Sequence, residues 1–457
     1  MTDSNLEKPM VAQVVPDRDR ELDLLEEAAT AAIAQARQLG ADSCEVQASI
    51  HFGLSANVRM GEVETLEHSR DRGLGISVYL DHSKGHASSA DLRPQTVRDA
   101  VARAYDIARF TQADKCNGLA PAERLATDFP DLDLWHPQPL DANAAIERAL
   151  ECEAAGLEND AISNSEGAAF SSHYGLSVYA NSLGFVGRSD GTHFSQSCAL
   201  VAGKKNEMQR DYWYDSRRAV SDLESASQTG REAARRTVMR LGARNVPTRE
   251  IPVLFAAPVA RGLVGHLLAA VSGRALYRNA SFLKDQAGQQ LFPRWMQMTE
   301  YPHLRRGPAS AAFDAEGVAT RQRDLIDGGV LTGYVLGSYS ARRLGLETTG
   351  NAGGVHNLRV RPGTSSDEEL LRQMGTGLLV TEVMGQGVSL VTGDYSRGAS
   401  GFWVEHGEVQ HPVDEVTVAG NLKDIFRRIE AVGAEVDERG GVQSGPILVG
   451  RMTVAGS

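Results

Sequence analysis

Cysteine, aromatic rings and positive charge are all in short supply in this chain, and each shortage excludes something. Only four cysteines occur in 457 residues: Cys44, Cys116, Cys152 and Cys198. All lie in the first half, with no CxxC pair and no regular spacing, which argues against a disulfide framework and excludes a structural zinc ribbon. Aromatic residues make up 6% of the chain against 46 glycines, a balance that favours tight turns and short strands over long helical bundles. Lysine and arginine number 47 and aspartate and glutamate 59, for a net charge of -12. A large nucleic-acid face needs clustered basic residues, so the acidic balance argues against one. No apolar run approaches the roughly 20 residues of a membrane span. The opening MTDSNLEKPM is polar and has no apolar signal core, so the expected compartment is the cytosol. A Walker loop, a GxGxxG after a strand, a GxSxG elbow and an HExxH helix are all missing.

What is present is enough apolar residue, 42%, for a real core, and a length that implies two or three domains. After a loose leader over Met1–Val15, the spacing of Leu22, Leu25, Ala29, Ile33 and Ala36 predicts a helix from Arg18 to Leu39, closed by Gly40. Short extended segments around 45–52, 55–60, 75–80 and 85–89 read as an antiparallel meander, and a second helix starts at Pro94. Residues 115–140, with four prolines, form a linker or surface crossover. A helix over 141–157, a second sheet over 166–215 and a helix opened by Ser221–Glu224 with capping-box spacing follow. Beyond a boundary at 244–249 come a buried strand at Ile251–Ala256, a helix begun by Pro258, a hairpin at Asp327-Gly328-Gly329 and a strand at 357–360. The expected fold class is α+β. It comprises an N-terminal helix–antiparallel-meander unit (18–115), a middle α+β segment (140–243) and a β-rich C-terminal domain (250–457).

The stretch Gly385–Asn421 stands out. Its centre reads Gly393-Asp394-Tyr395-Ser396-Arg397-Gly398-Ala399-Ser400-Gly401-Phe402-Trp403. His406-Gly407 falls where a two-residue hairpin turn belongs, which predicts a hairpin whose first strand is preceded by a Gly-Asp-Tyr-Ser-Arg loop. Two readings of that loop stand. In one, Asp394, Tyr395, Ser396, Arg397 and Gly398 line a peptide-binding wall, where glycines admit an extended chain that adds as a strand. In the other, Arg397 pairs with Asp394 or Glu405 and the glycines merely bend the backbone. The helix after Pro258 carries His266 on one face with Val259, Leu263 and Ala270, where a satisfied core histidine is a simpler reading than a ligand. The pair His406 and His411 straddles a turn, and His82 and His86 read as surface residues.

GDYSRGASGFWVE, the TGNAGG run at Thr349–Gly354, the DAEGV element at Asp314–Val318 and MGTGLLVTEVMGQG resemble the PmbA (TldE) branch of the TldD/PmbA metallopeptidase family. The resemblance extends from the first helix to the C-terminus. It implies a cytosolic bacterial peptidase system of two related chains, in which the TldD-type chain carries zinc on a His-Glu-x-x-x-His helix with a later cysteine. Laid on that motif, Arg261 falls at the first histidine, Gly262 at the glutamate and His266 at the second histidine. No cysteine follows Cys198. Zinc hydrolysis needs three protein ligands, a bound water and a carboxylate base, and a guanidinium ~4 Å from a cation costs about 4 kcal/mol or more at intermediate dielectric.

The resemblance therefore implies no metal and no catalytic residue in this chain, with zinc in a TldD-like partner of a heterodimer. It further implies that the substrates are unfolded or modified peptides, antitoxins and microcin precursors among them. A homodimer is the alternative for the chain alone. Two rival readings remain: an autonomous metallopeptidase with a relocated metal site, and a non-enzymatic peptide-binding regulator. A related label, modulator of DNA gyrase, implies DNA contact, which the acidic balance opposes.

Overall fold

Two-residue periodicity dominates the first half of the chain and sets it into one sheet. The structure, a computed structural model, describes residues 15–456, so the expected leader lies outside the described residues except for Val15. Helix α1 (Arg18–Gln38) is capped by the Asp17 side chain and buries the five apolar positions that the spacing marks out. Strands β1 (Ser43–Arg59), β2 (Glu62–Leu80) and β3 (Ser83–Ser89) form an antiparallel meander. Helix α2 (Pro94–Phe110) has proline in its first turn, where the missing N–H costs no hydrogen bond. After a crossover come α3 (Ala142–Leu157), β4 (Ile162–Asn181), β5 (Val186–Ala202), β6 (Gln209–Arg217) and α4 (Ala226–Met239).

The second sheet expected over 166–215 is not separate. Strand β4 pairs with β1 from Glu45↔Asn181 to Val58↔Ala168, giving one six-stranded sheet in the order β3-β2-β1-β4-β5-β6. Alternation tells which side chains face the core, but not which strand lies alongside. Helices cover one face only. Val46, Ile50, Leu176 and Val178 pack with α1 and α2, and Leu54, Phe170, Phe194 and Cys198 with α3 and α4. Burying each large apolar side chain among these contributes about 1.5–3 kcal/mol. The helix start expected at Ser221 is displaced: residues 220–222 make a 3-10 turn, and Ser225 with Gln228 forms the capping box of α4. All four cysteines are buried free thiols. Among the described residues, no helix is long and apolar enough to cross a membrane.

Helices α3 and α4 meet backbone to backbone. A Cβ on Gly230 would lie 1.9 Å from the Cys152 carbonyl oxygen. Gly230→Ala should therefore push the helices apart and lower stability by about 2–3 kcal/mol. An unchanged urea midpoint would contradict this contact.

The chain separates into two compact units, the first built from residues up to Asn117 with Asp133–Leu241, the second from Gly118–Leu132 with everything from Gly242 onward. The second unit contains β7 (Arg249–Phe255), α5 (Ala257–Ala270), α6 (Gly273–Tyr277), β8 (Met298–Glu300), β9 (Arg323–Asp327) and β10 (Val330–Leu331). It continues with α7 (Ser338–Leu344), β11 (Leu358–Val360), α8 (Asp367–Met374) and β12 (Gly377–Met384). It ends with β13 (Asp394–Glu405), β14 (Glu408–Asn421), α9 (Leu422–Arg427), β15 (Ile429–Val432), β16 (Val442–Gln443) and β17 (Ile447–Ala455). One sheet runs β14-β13-β12-β7-β17-β15, and β14 also pairs with β17, so the ladder returns on itself; the other runs β10-β9-β8-β11-β16. The hairpins expected from Gly328-Gly329 and His406-Gly407 are both present, with φ of 54° and 79° in one and 55° and 78° in the other. Positive φ at both positions matches the right-handed twist of the flanking strands. The fold is α+β, with an N-terminal helix followed by an antiparallel sheet.

Candidate functional site

Helix α5 and strand β13, far apart in sequence, meet in the second unit. At 3.6 residues per turn, Ala260, Leu263, Val264, Leu267 and Ala270 fall on one side of α5 and are buried. Arg261, Gly262, Gly265 and His266 fall on the other and are half-buried. His266 thus sits at the margin of the apolar stripe rather than within it. A Cβ on Gly262 or Gly265 would meet nothing within 4 Å, so open space lies beside this face.

The Asp394–Arg397 segment is strand, not the expected loop. Its backbone is satisfied on both edges. Asp394↔Asn421 through Ala399↔Val416 pair with β14. On the other edge the preceding loop folds back, with Ser396 N–H donating to Gly387 O at 2.7 Å and Ser389 N–H to Asp394 O at 2.8 Å. Strand alternation then divides the sequence-marked residues. Tyr395 is buried and meets the His266 ring edge-on, centroids 5.7 Å apart, and Arg397 lies on the same side. Asp394 and Ser396 are exposed. Gly398 backs onto Met384, whose Cβ would be 3.6 Å from an added methyl. Asp394 accepts from Thr392 Oγ1 at 2.7 Å and Asn421 Nδ2 at 3.0 Å, bonds that lower its pKa and latch the hairpin base. Arg397 pairs with neither Asp394 nor Glu405. Its Nε donates to Met384 O at 3.3 Å, and Glu405 accepts from Trp403 Nε1 at 2.8 Å.

The electrostatics follow the placement. Burial pushes the His266 pKa down, and the nearby Arg397 charge lowers it further, so the imidazole is neutral near pH 7. Burial pushes the Tyr395 phenol up to about 12, against the opposing Arg397 charge. At the other end of the face, the Arg261 charge acts on buried Asp437. Burial raises the Asp437 carboxyl, yet its bonds to Arg439 and the two arginine charges bring it below the ordinary range. Asp437 carried no sequence signal: it sits in an irregular segment between β15 and β16, far from α5 in sequence.

The two other sequence motifs knit together beneath. Asp314 of DAEGV accepts three backbone N–H bonds, from Glu316 (2.9 Å), Val318 (3.0 Å) and Ala352 of TGNAGG (2.8 Å). Asn351 donates to buried Glu300 at 2.7 Å. Glu300 also accepts from His356 N–H at 2.7 Å, His356 Nδ1 at 3.1 Å and Arg323 Nε at 2.9 Å. The two motifs thus meet the buried Asp314 carboxylate and the buried Asn351 amide with hydrogen bonds, as buried polar groups require.

Comparison with known proteins agrees with this architecture. Three domain families match in order: PmbA/TldA metallopeptidase domain 1 over 44–108, the central domain over 135–241 and the C-terminal domain over 248–456. The metalloprotease PmbA of Escherichia coli O157:H7 is 47% identical over 448 residues, covering 98% of this chain and 99% of that protein. The chain belongs to the PmbA branch of the PmbA/TldD metallopeptidase family. The crystal structure of a proposed DNA gyrase modulator from Bacteroides thetaiotaomicron superposes with a TM-score of 0.90 at 25% identity, covering 97% of this chain and all of that one. The structure of TldE from Thermococcus kodakarensis gives 0.82 at 21%, covering 94% and 100%.

For a PmbA-branch chain the question is whether α5 suits the metal that a metallopeptidase name implies. The donor set does not fit zinc. His266 is the one imidazole on the face, Arg261 brings positive charge, and Gly262 brings no side chain. The four thiols all lie in the other unit. Among the described residues, no three His, Cys, Asp or Glu side chains gather into a metal-binding group.

Proposed function

We propose that this chain is the non-catalytic partner in a cytosolic peptidase of TldD–PmbA type, pairing with a zinc-bearing TldD-like chain and forming part of the wall that holds unfolded or modified peptides. The observation that carries the reading is the face of α5, where Arg261 and Gly262 stand in place of a ligand and a base beside a lone His266. The name TldE on a structural neighbour, and PmbA on a relative of nearly the same length, support the pairing. The open space beside Gly262 and Gly265 supports the role as a wall, because a peptide backbone can approach there. The partner supplies metal, activated water and base; this chain supplies contacts.

The test is cleavage of an unstructured peptide by the purified chain alone, by a TldD-like chain alone and by their mixture. Activity should require the TldD-like chain, be strongest in the mixture, and vanish with a chelator. The variant His266→Ala should leave the zinc content of the mixture unchanged. Cleavage by the unaccompanied chain, abolished by a chelator, would establish the autonomous peptidase. Peptide binding insensitive to chelator and to the second chain would establish the regulator.

A further inference from the structure

Arg397 is a cation with an unusual set of neighbours. It is half-buried on the α5 side of β13. Its Nε is tied to the Met384 carbonyl, and neither Nη group has a hydrogen-bond partner among the described residues. Among the described residues no carboxylate forms an ion pair with it, in contrast to Arg323, which meets Glu300, and Arg439, which meets Asp437. What stands beside it is the His266–Tyr395 ring pair. The adjoining face of α5 presents Gly262 and Gly265, next to which a side chain would find open space.

Drawing a guanidinium partly out of water is unfavourable unless an anion meets it. The two free Nη groups present a planar fork whose natural complement is a carboxylate held by two parallel bonds. The 3.3 Å bond from Nε to the Met384 carbonyl biases the plane of that fork, so less rotamer freedom is lost on binding. We propose that Arg397, flanked by His266 and Tyr395, is a carboxylate-binding subsite that anchors a peptide through its C-terminal carboxylate or an acidic side chain. This rests on the reading of the α5–β13 face as a peptide wall. It adds that beside the helix face that lacks the ligand and the base stands an anchor for negative charge.

His266 reports on the subsite. Part of what lowers its pKa is the Arg397 charge. A carboxylate docked on Arg397 offsets that charge, so the imidazole should become easier to protonate. The experiment follows the His266 ring by NMR through a pH titration. Three probes are added at millimolar concentration: an N-acetylated alanine–glycine peptide with a free C-terminus, its C-terminal amide, and an amidated peptide with one internal glutamate. The free acid should shift the His266 resonances saturably and raise its pKa, and the plain amide should do neither. A response to the amidated glutamate peptide assigns the anchor to side chains as well as termini. Arg397→Gln should weaken free-acid binding at least ten-fold, and Arg397→Lys should lose less, because it keeps the charge without the fork. Each variant's thermal midpoint, compared with the parent's, reports whether it is folded. Equal binding of acid and amide would overturn the subsite while leaving the peptide wall in place. Binding by none of the three probes would overturn it as well, with the cleavage assay still deciding the partnership.

Discussion

Glu300→Gln should lower the stability of the second unit by about 3–5 kcal/mol at neutral pH, the range for breaking a buried ion pair from one side. Glu300 is 2% exposed and accepts four hydrogen bonds, from Asn351, from the backbone and ring of His356, and from Arg323. Glutamine keeps the shape but turns an amide donor toward the Arg323 guanidinium or the His356 donors, and leaves a buried positive charge without its counter-ion. The pH dependence carries a sign. Burial pushes the Glu300 pKa up, but the bonds from His356 and the Arg323 charge outweigh it, and the net result is a lowered pKa. The folded state therefore binds fewer protons than the unfolded chain below the ordinary glutamate range. The stabilisation is full above that range and is lost as pH falls through the depressed value. Hydrogen exchange of the β8 and β11 amides as a function of pH should show this acid-side loss, and the Gln variant should lack it.

Asp314→Ala should cost about 2–4 kcal/mol, because it strands one buried and two partly buried N–H groups at up to about 1–3 kcal/mol each, offset in part by removing a buried carboxylate. Here the pH sign is opposite. Burial outweighs the three backbone bonds and raises the Asp314 pKa from 3.8 to about 6. Between those two values the unfolded chain has lost its proton while the folded one keeps it, so stability falls as pH rises through that window. The shift corresponds to about 3 kcal/mol at most, at about 1.4 kcal/mol per pKa unit. Asp314→Asn should abolish this dependence at a smaller cost, about 1–3 kcal/mol, since its amide oxygen can still serve two of the three donors. Urea midpoints of the three proteins at pH 4, 5, 6 and 7 decide the matter. A parent protein whose stability rises over that range, after correction for other groups with the Asn variant, would contradict the burial argument.

Much of this architecture is legible in the sequence because it rests on local physics. The apolar spacing of α1, the proline opening α2, and the Gly328-Gly329 and His406-Gly407 turns each follow from a few neighbouring residues. Pairing across distance is different. Nothing near Ser165 says that β4 will lie against β1, and so one sheet looks like two in the sequence. The same limit applies to the site. The Arg261–His266 helix and the Asp394–Gly398 stretch are each marked by composition. That Tyr395 and Arg397 turn toward His266 while Asp394 and Ser396 turn away follows from strand alternation, which becomes readable only once the supposed loop is known to be paired on both edges. Asp437 joins α5 through a long-range contact that no local pattern announces.

The crossover Gly118–Leu132 has a consequence for the architecture as a whole. Ala126 N–H donates to Gly317 O, Ala319 N–H to Arg124 O and Arg306 N–H to Leu132 O, and Leu119, Ala120, Ala126 and Leu132 are buried. During synthesis this strap leaves the ribosome before its seat around residues 304–320 has been made, so it must wait unpaired while the chain from Asp133 to Thr320 is added. A truncation starting at Gly242 would retain the whole 248–456 match and still expose an empty trough. Such a fragment should be rescued by a synthetic peptide spanning 118–132, in the manner of split-protein complementation.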